Sequence, residues 1–110
     1  AKIEEGTFRP YTSSIVFLEL NYVVRNIYKL PIDEVLDYLD AIRKMRGMTV
    51  IEKTDTDKAI ALYTRYKIKL GDCFIATQIP KEGILLSYDE DFKKIKEIKF
   101  QTPDDILQSL

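Results

Sequence analysis

The segment between Gly71 and Asp91 constrains the fold more than any other part of the chain. A helical apolar stretch, Cys73-Phe74-Ile75-Ala76-Thr77, is followed after Gly83 by the run Ile84-Leu85-Leu86 and then by Ser87-Tyr88-Asp89-Glu90-Asp91. A short apolar run bounded by turn residues reads as a strand covered on both faces. Asp72, just after Gly71, is expected at the start of this helix, where a carboxylate accepts hydrogen bonds from free first-turn amides. Gly83 is expected to stop that helix in the left-handed conformation. Asp89 and Asp91 then fall at the carboxyl end of the strand, which is where parallel sheets keep their ligand sites.

The remaining chain repeats the alternation of short runs and helical patterns. Residues 8–12 suggest a short strand, and a helix is expected from Thr12 or Ser13 to about Tyr28, with Val16, Leu20, Val23, Val24 and Ile27 on one face. Glu19 has Ile15, Val16, Tyr22 and Val23 as its helical neighbours, which puts a carboxylate on the core-facing stripe. It reads either as an edge residue whose head reaches water or as a ligand-bearing acid. Leu30-Pro31 breaks the pattern, and a second helix carries Ile32, Val35, Leu36, Leu39 and Ile42, with Asp33 and Glu34 at its start and Gly47 as its end. The two helices are expected to form a hairpin.

Residues 48–51 read as a strand. Thr54-Asp55-Thr56-Asp57 offers caps for a helix to about Tyr66, with Ala59, Ile60 and Tyr63 facing inward, so Asp55 and Asp57 need no chemical role. Pro80 falls at the end of the following helix. Phe92 and Ile95 suggest one turn back onto the core, residues 98–100 a last strand, and Thr102-Pro103-Asp104-Asp105 the start of a helix ending at Leu110. Strands separated by helices predict an α/β fold with a mainly parallel sheet, and 110 residues with 45% hydrophobic content predict a single domain.

Composition narrows the chemistry. The chain has no histidine, which removes Ser-His-Asp catalysis, His-containing zinc sites and imidazole acid–base work, and leaves carboxylates with a hard metal. Glu19, Asp72 and Asp89 are expected to meet within a few ångströms, with Asp91 close by. Converging carboxylates raise one another's pKa unless a divalent cation sits among them, and oxygen ligands suit magnesium or manganese. Lys plus Arg number 17 and Asp plus Glu 18, so a polyanion must be drawn by a local patch, for which Lys93, Lys94, Lys96 and Lys99 are candidates. The lone Cys73 forms no internal disulfide and reads as a buried core residue. No membrane-length apolar run or basic-then-apolar leader occurs, so no membrane partner and a cytoplasmic location are expected.

Three stretches in order, Ser13-Ser14-Ile15-Val16-Phe17-Leu18-Glu19-Leu20, Leu70-Gly71-Asp72-Cys73-Phe74-Ile75-Ala76 and Leu85-Leu86-Ser87-Tyr88-Asp89-Glu90-Asp91-Phe92, resemble the PIN-domain family, most closely its VapC-type toxin ribonucleases. The resemblance implies a three-layer α/β/α fold and a Mg2+- or Mn2+-dependent ribonuclease that cleaves single-stranded or loop RNA. It implies a homodimer, a cognate antitoxin as partner, and Glu19, Asp72 and Asp89 as metal ligands, with Asp91 beside them and Ser87 supporting a carboxylate. Family members open with a hydrophobic strand ending in Asp, which residues 1–9 do not match. An N-terminally shortened chain lacking that strand, helix and acid is therefore expected. A catalytically inactive PIN-like RNA- or protein-binding module is the alternative. A receiver-like phosphoryl-transfer domain would need an early acid pair and a late-strand lysine, and neither is present.

Overall fold

The computed structural model describes residues 9–109; the expectations that fall on residues 1–8 and on Leu110 lie outside them. The chain divides after Glu52 into two compact units.

In the first unit β1 (Tyr11–Ser13) pairs in parallel with β2 (Thr49–Ile51), Tyr11 opposite Thr49 and Ser13 opposite Ile51. Parallel partners need a long crossover, and here two helical segments supply it. Ser13 ends the strand and starts α1 (Ser14–Tyr22), its buried Oγ accepting a hydrogen bond from the Val16 amide at 3.3 Å. The helical run expected to about Tyr28 is continuous to Ile27 but changes its winding after Tyr22. Residues Val23–Ile27 widen into a π turn, in which the Tyr28 amide donates to the Val23 carbonyl at 3.1 Å and the Leu30 amide to Val24 at 2.9 Å. Each widened turn takes up an extra residue and rotates the following side chains off the α-helical stripe.

Lys29 takes a left-handed φ of 58° before α2 (Ile32–Arg43), with Asp33 and Glu34 in its first turn and Arg43 in its last, where each favours the helix dipole. α2 stops before Gly47, whose φ of 76° serves the turn into β2 instead of the helix end. Of the apolar stripe only Val35 is buried, while Ile32 and Leu36 are 59% and 51% exposed.

The second unit begins with α3 (Thr56–Tyr66), capped by Asp55, whose Oδ1 accepts from the Lys58 amide at 3.0 Å. Its buried residues are Ala59 and Leu62; Ile60 and Tyr63, expected inward, are 51% and 46% exposed, because each sits one residue, about 100°, around the helix from the buried line. Lys67 in the left-handed conformation ends α3, buried Ile68 anchors the link, and α4 (Leu70–Thr77) follows with Cys73, Ile75 and Ala76 buried. Burial holds the Cys73 thiol above its usual pKa, as suits an inert core residue.

α4 ends at Thr77, six residues before the expected stop at Gly83. Pro80 disfavours helical backbone at Ile79, and the Thr77 hydroxyl bonds back to the Phe74 carbonyl at 2.7 Å. Gly83 has no left-handed φ; Glu82 does, at 65°. Glycine is required at 83 because its amide donates to the Pro80 carbonyl at 2.8 Å, and a Cβ there would lie 2.8 Å from that same oxygen.

β3 (Leu85–Leu86) pairs in parallel with β4 (Phe100–Gln101). Between them a 3-10 turn, Glu90–Lys94, sends Phe92 and Ile95 into the core as expected, Phe92 stacking on Phe100 at 6.2 Å. Glu97 accepts hydrogen bonds from the Tyr66 hydroxyl and, at 3.0 Å, from Arg65, which fastens α3 to the segment leading into β4. A reciprocal capping box, Asp105 amide to Thr102 Oγ1 and Thr102 amide to Asp105 Oδ2, both 3.1 Å, starts α5 (Pro103–Ser109). The expected cover on both faces of β3 is not found, since Ile84 and Leu86 are each 48% exposed. All described strand pairs are parallel and joined through helical segments, the α/β pattern, and among the described residues they form one two-stranded sheet in each unit.

Candidate functional site

Asp72 is the most deeply placed acid among the described residues, 3% exposed. It is not the cap of α4 but its third residue, in the first turn. Lys69, with a non-helical ψ of 135°, stands as the cap, three residues before the expected Asp72. At its own position Asp72 still lies in the first turn, near the positive end of the helix dipole.

Asp89 follows β3 and caps the 3-10 turn, its Oδ1 accepting from the Asp91 amide at 3.0 Å. Its own amide donates to Ser87 Oγ at 3.0 Å, so the Ser87 hydroxyl holds the Asp89 backbone, whereas a bond to a carboxylate was expected of it. The other oxygen of Asp89, Oδ2, lies 3.6 Å from the Lys69 ammonium. Asp91 pairs with Lys94 at 3.4 Å. The Lys69 pKa is raised, first by Asp89, then by Asp72, against the opposing effect of burial, with Asp91 adding a smaller part. Asp72, Asp89 and Asp91 thus all act on this one ammonium.

Lys69 was not legible as a site residue, because Tyr66-Lys67-Ile68-Lys69 reads as a link between helices. Its only signal is a cationic residue three places before a buried Asp. Glu19, in α1 of the first unit, is exposed, and α1 has no buried residue. The expected core-facing stripe is absent there, since Ile15 and Val16 are only half-buried and Tyr22 is 62% exposed. The lysine patch is also weaker than the sequence suggests. Lys93 pairs with Glu90 at 3.0 Å, Lys94 with Asp91 and Lys99 with Glu82 at 3.4 Å.

Among the described residues, no group of three or more carboxylate or thiol side chains is drawn close enough together to hold a metal ion. The donor chemistry of Asp72 and Asp89 nonetheless fits a hard divalent cation. Both present only oxygen, both are fixed at element starts, and the charge of both acts on an ammonium that stands where a cation is favoured. No helix among the described residues is long and apolar enough to cross a membrane.

Comparison with known protein families gives a match to the family described as PIN domain over residues 1–98. No curated protein and no solved structure matches significantly.

Proposed function

The chain belongs to the PIN-domain family, whose members are nucleases, and on that footing we propose that it is a Mg2+- or Mn2+-dependent endoribonuclease, the toxin of a toxin–antitoxin pair. The observation that carries this reading is Asp72 in the first turn of α4, the one buried acid among the described residues, within a family that works with carboxylates and divalent ions. When bound, the ion supplies Lewis acidity towards the phosphate and makes a neighbouring water a better nucleophile. Asp72 and Asp89 are the proposed ligands, and Glu19 is proposed as a further one from the sequence resemblance. Ser87 holds the backbone before Asp89 in place, and the Asp91 amide fixes the rotamer of the Asp89 carboxylate. Ser87 is not assigned as a nucleophile, since the chain has no histidine to activate it.

The partners proposed are RNA, a small cognate antitoxin and a second copy of the chain, and the location proposed is cytoplasmic. Support for a protein partner comes from the first unit. There α1, the π turn and α2 line an open trough of about 550 Å3 whose walls are Leu20, Val24, Tyr28, Leu30, Tyr38 and Ile42.

The deciding experiment incubates the purified protein with end-labelled single-stranded RNA with and without Mg2+ or Mn2+, and with chelator. Cleavage that needs the ion is expected, and Asp72→Asn should reduce it at least about a hundredfold, the scale typical of a lost electrostatic partner of the reacting group. The circular dichroism spectrum of the variant should match that of the parent, because the exchange preserves volume. RNA that is bound and never cut would favour the inactive module, and undiminished cleavage by Asp72→Asn would remove this site from the reaction.

A further inference from the structure

The link between α3 and α4 is three residues long, and each has a fixed duty. Lys67 takes the left-handed turn that ends α3, Ile68 is 5% exposed and pegs the link to the core, and Lys69 takes the non-helical conformation that begins α4. The Lys69 backbone therefore has little freedom, and its carbonyl is also engaged by the Cys73 amide at 3.2 Å. Its side chain is the opposite case, 72% exposed on a long flexible stem, with the ammonium 3.6 Å from Asp89 Oδ2. That oxygen is the one left over after Oδ1 has taken the Asp91 amide, so it is the oxygen Asp89 can offer to any other cation.

We propose that Lys69 competes with the divalent ion for Asp89 Oδ2, so that its ammonium must swing aside for the ion to be held and the loading of the site is set by this exchange. The inference rests on the metal-dependent reading above. An ammonium and a divalent ion cannot both sit against one carboxylate oxygen without strong repulsion between them. The exchange is accessible because the ion pair is exposed and screened and the departing head group moves directly into water. A lysine suits this duty better than arginine would as a permanent clamp, since its compact ammonium makes no bidentate fork with the carboxylate.

The test is direct titration of the purified protein with Mn2+, followed by calorimetry and by the loss of the free-ion electron paramagnetic resonance signal, with no RNA present. Lys69→Met keeps the stem and removes the charge. It should tighten Mn2+ binding about two- to five-fold at low salt, the range set by exposed ion pairs, with the gain shrinking as salt is raised. Lys69→Arg, which keeps the charge and adds the bidentate fork, should bind Mn2+ no more tightly than the parent. Unchanged or weaker Mn2+ binding in Lys69→Met, with the parent still binding and Asp72→Asn failing to bind, would overturn the competition while leaving the metal site standing. A parent that binds no Mn2+ would overturn both.

Discussion

Asp89 divides its two oxygens between two tasks, and substitutions can separate them. Oδ1 holds the Asp91 amide and so starts the 3-10 turn that buries Phe92; Oδ2 faces Lys69. Asp89→Asn keeps an amide oxygen able to cap the turn and removes the charge. It is expected to unfold within about 0.5 kcal/mol of the parent and to lose cleavage. Asp89→Ala removes the cap as well and should cost about 1 kcal/mol in addition. Urea denaturation and RNA cleavage measured on both variants check this: equal stability of the two variants would mean that the cap carries nothing. At the residue scale the sequence marked Asp72 and Asp89 near element starts, and there the structure has them, Asp72 in the first turn of α4 and Asp89 as the cap of the 3-10 turn, its amide on Ser87 Oγ and its Oδ1 on the Asp91 amide. The role of Lys69 was hidden because a long side chain can reach acids from elements distant in sequence, and no local pattern encodes that reach.

Helix starts were more legible than helix ends. Asp55, Ser13 and Thr102 each cap a helix through a hydrogen bond that depends on one local side chain, so the sequence narrows the first two caps to a few neighbouring residues and marks Thr102 outright. The ends of α1 and α4 follow from other causes, the π turn after Tyr22 and the backbone restriction before Pro80, and neither shows in a 3.6-residue period. Asp55 gives the element scale its prediction. It accepts from the Lys58 amide, and its own amide donates to Thr77 Oγ1 at 3.3 Å, joining the start of α3 to the end of α4. Asp55→Ala should destabilise the protein by about 1 kcal/mol through loss of the side-chain cap, with the backbone link to Thr77 retained. Cleavage per folded molecule should be unchanged, since the acid serves the helix. A loss of cleavage without a shift in the urea midpoint would show that Asp55 belongs to the reaction after all.

For the whole molecule, parallel pairing was readable because alternating strand and helix patterns leave few other options. The degree of exposure was not. Periodicity marks a stripe as apolar but does not say what covers it, and in the first unit Leu18, Tyr22, Ile27, Tyr28, Ile32, Leu36 and Tyr38 are between 51% and 69% exposed. So many large apolar side chains on one unit exceed the scattered exposure that is ordinary for a lone protein in water. A second copy covering the trough, to which Tyr28 and Tyr38 belong, is the expected state of the purified chain, and Tyr38 is the residue to challenge. Light scattering behind a sizing column should give the mass of a dimer that dissociates on dilution. Tyr38→Glu should shift it to monomer, because a carboxylate pressed into an apolar contact loses its hydration without a partner. Since Tyr38 is already exposed, its replacement should leave the melting temperature of the dissociated chain nearly unchanged. A parent that is monomeric at every concentration would leave the trough to the antitoxin and exclude self-association through this face.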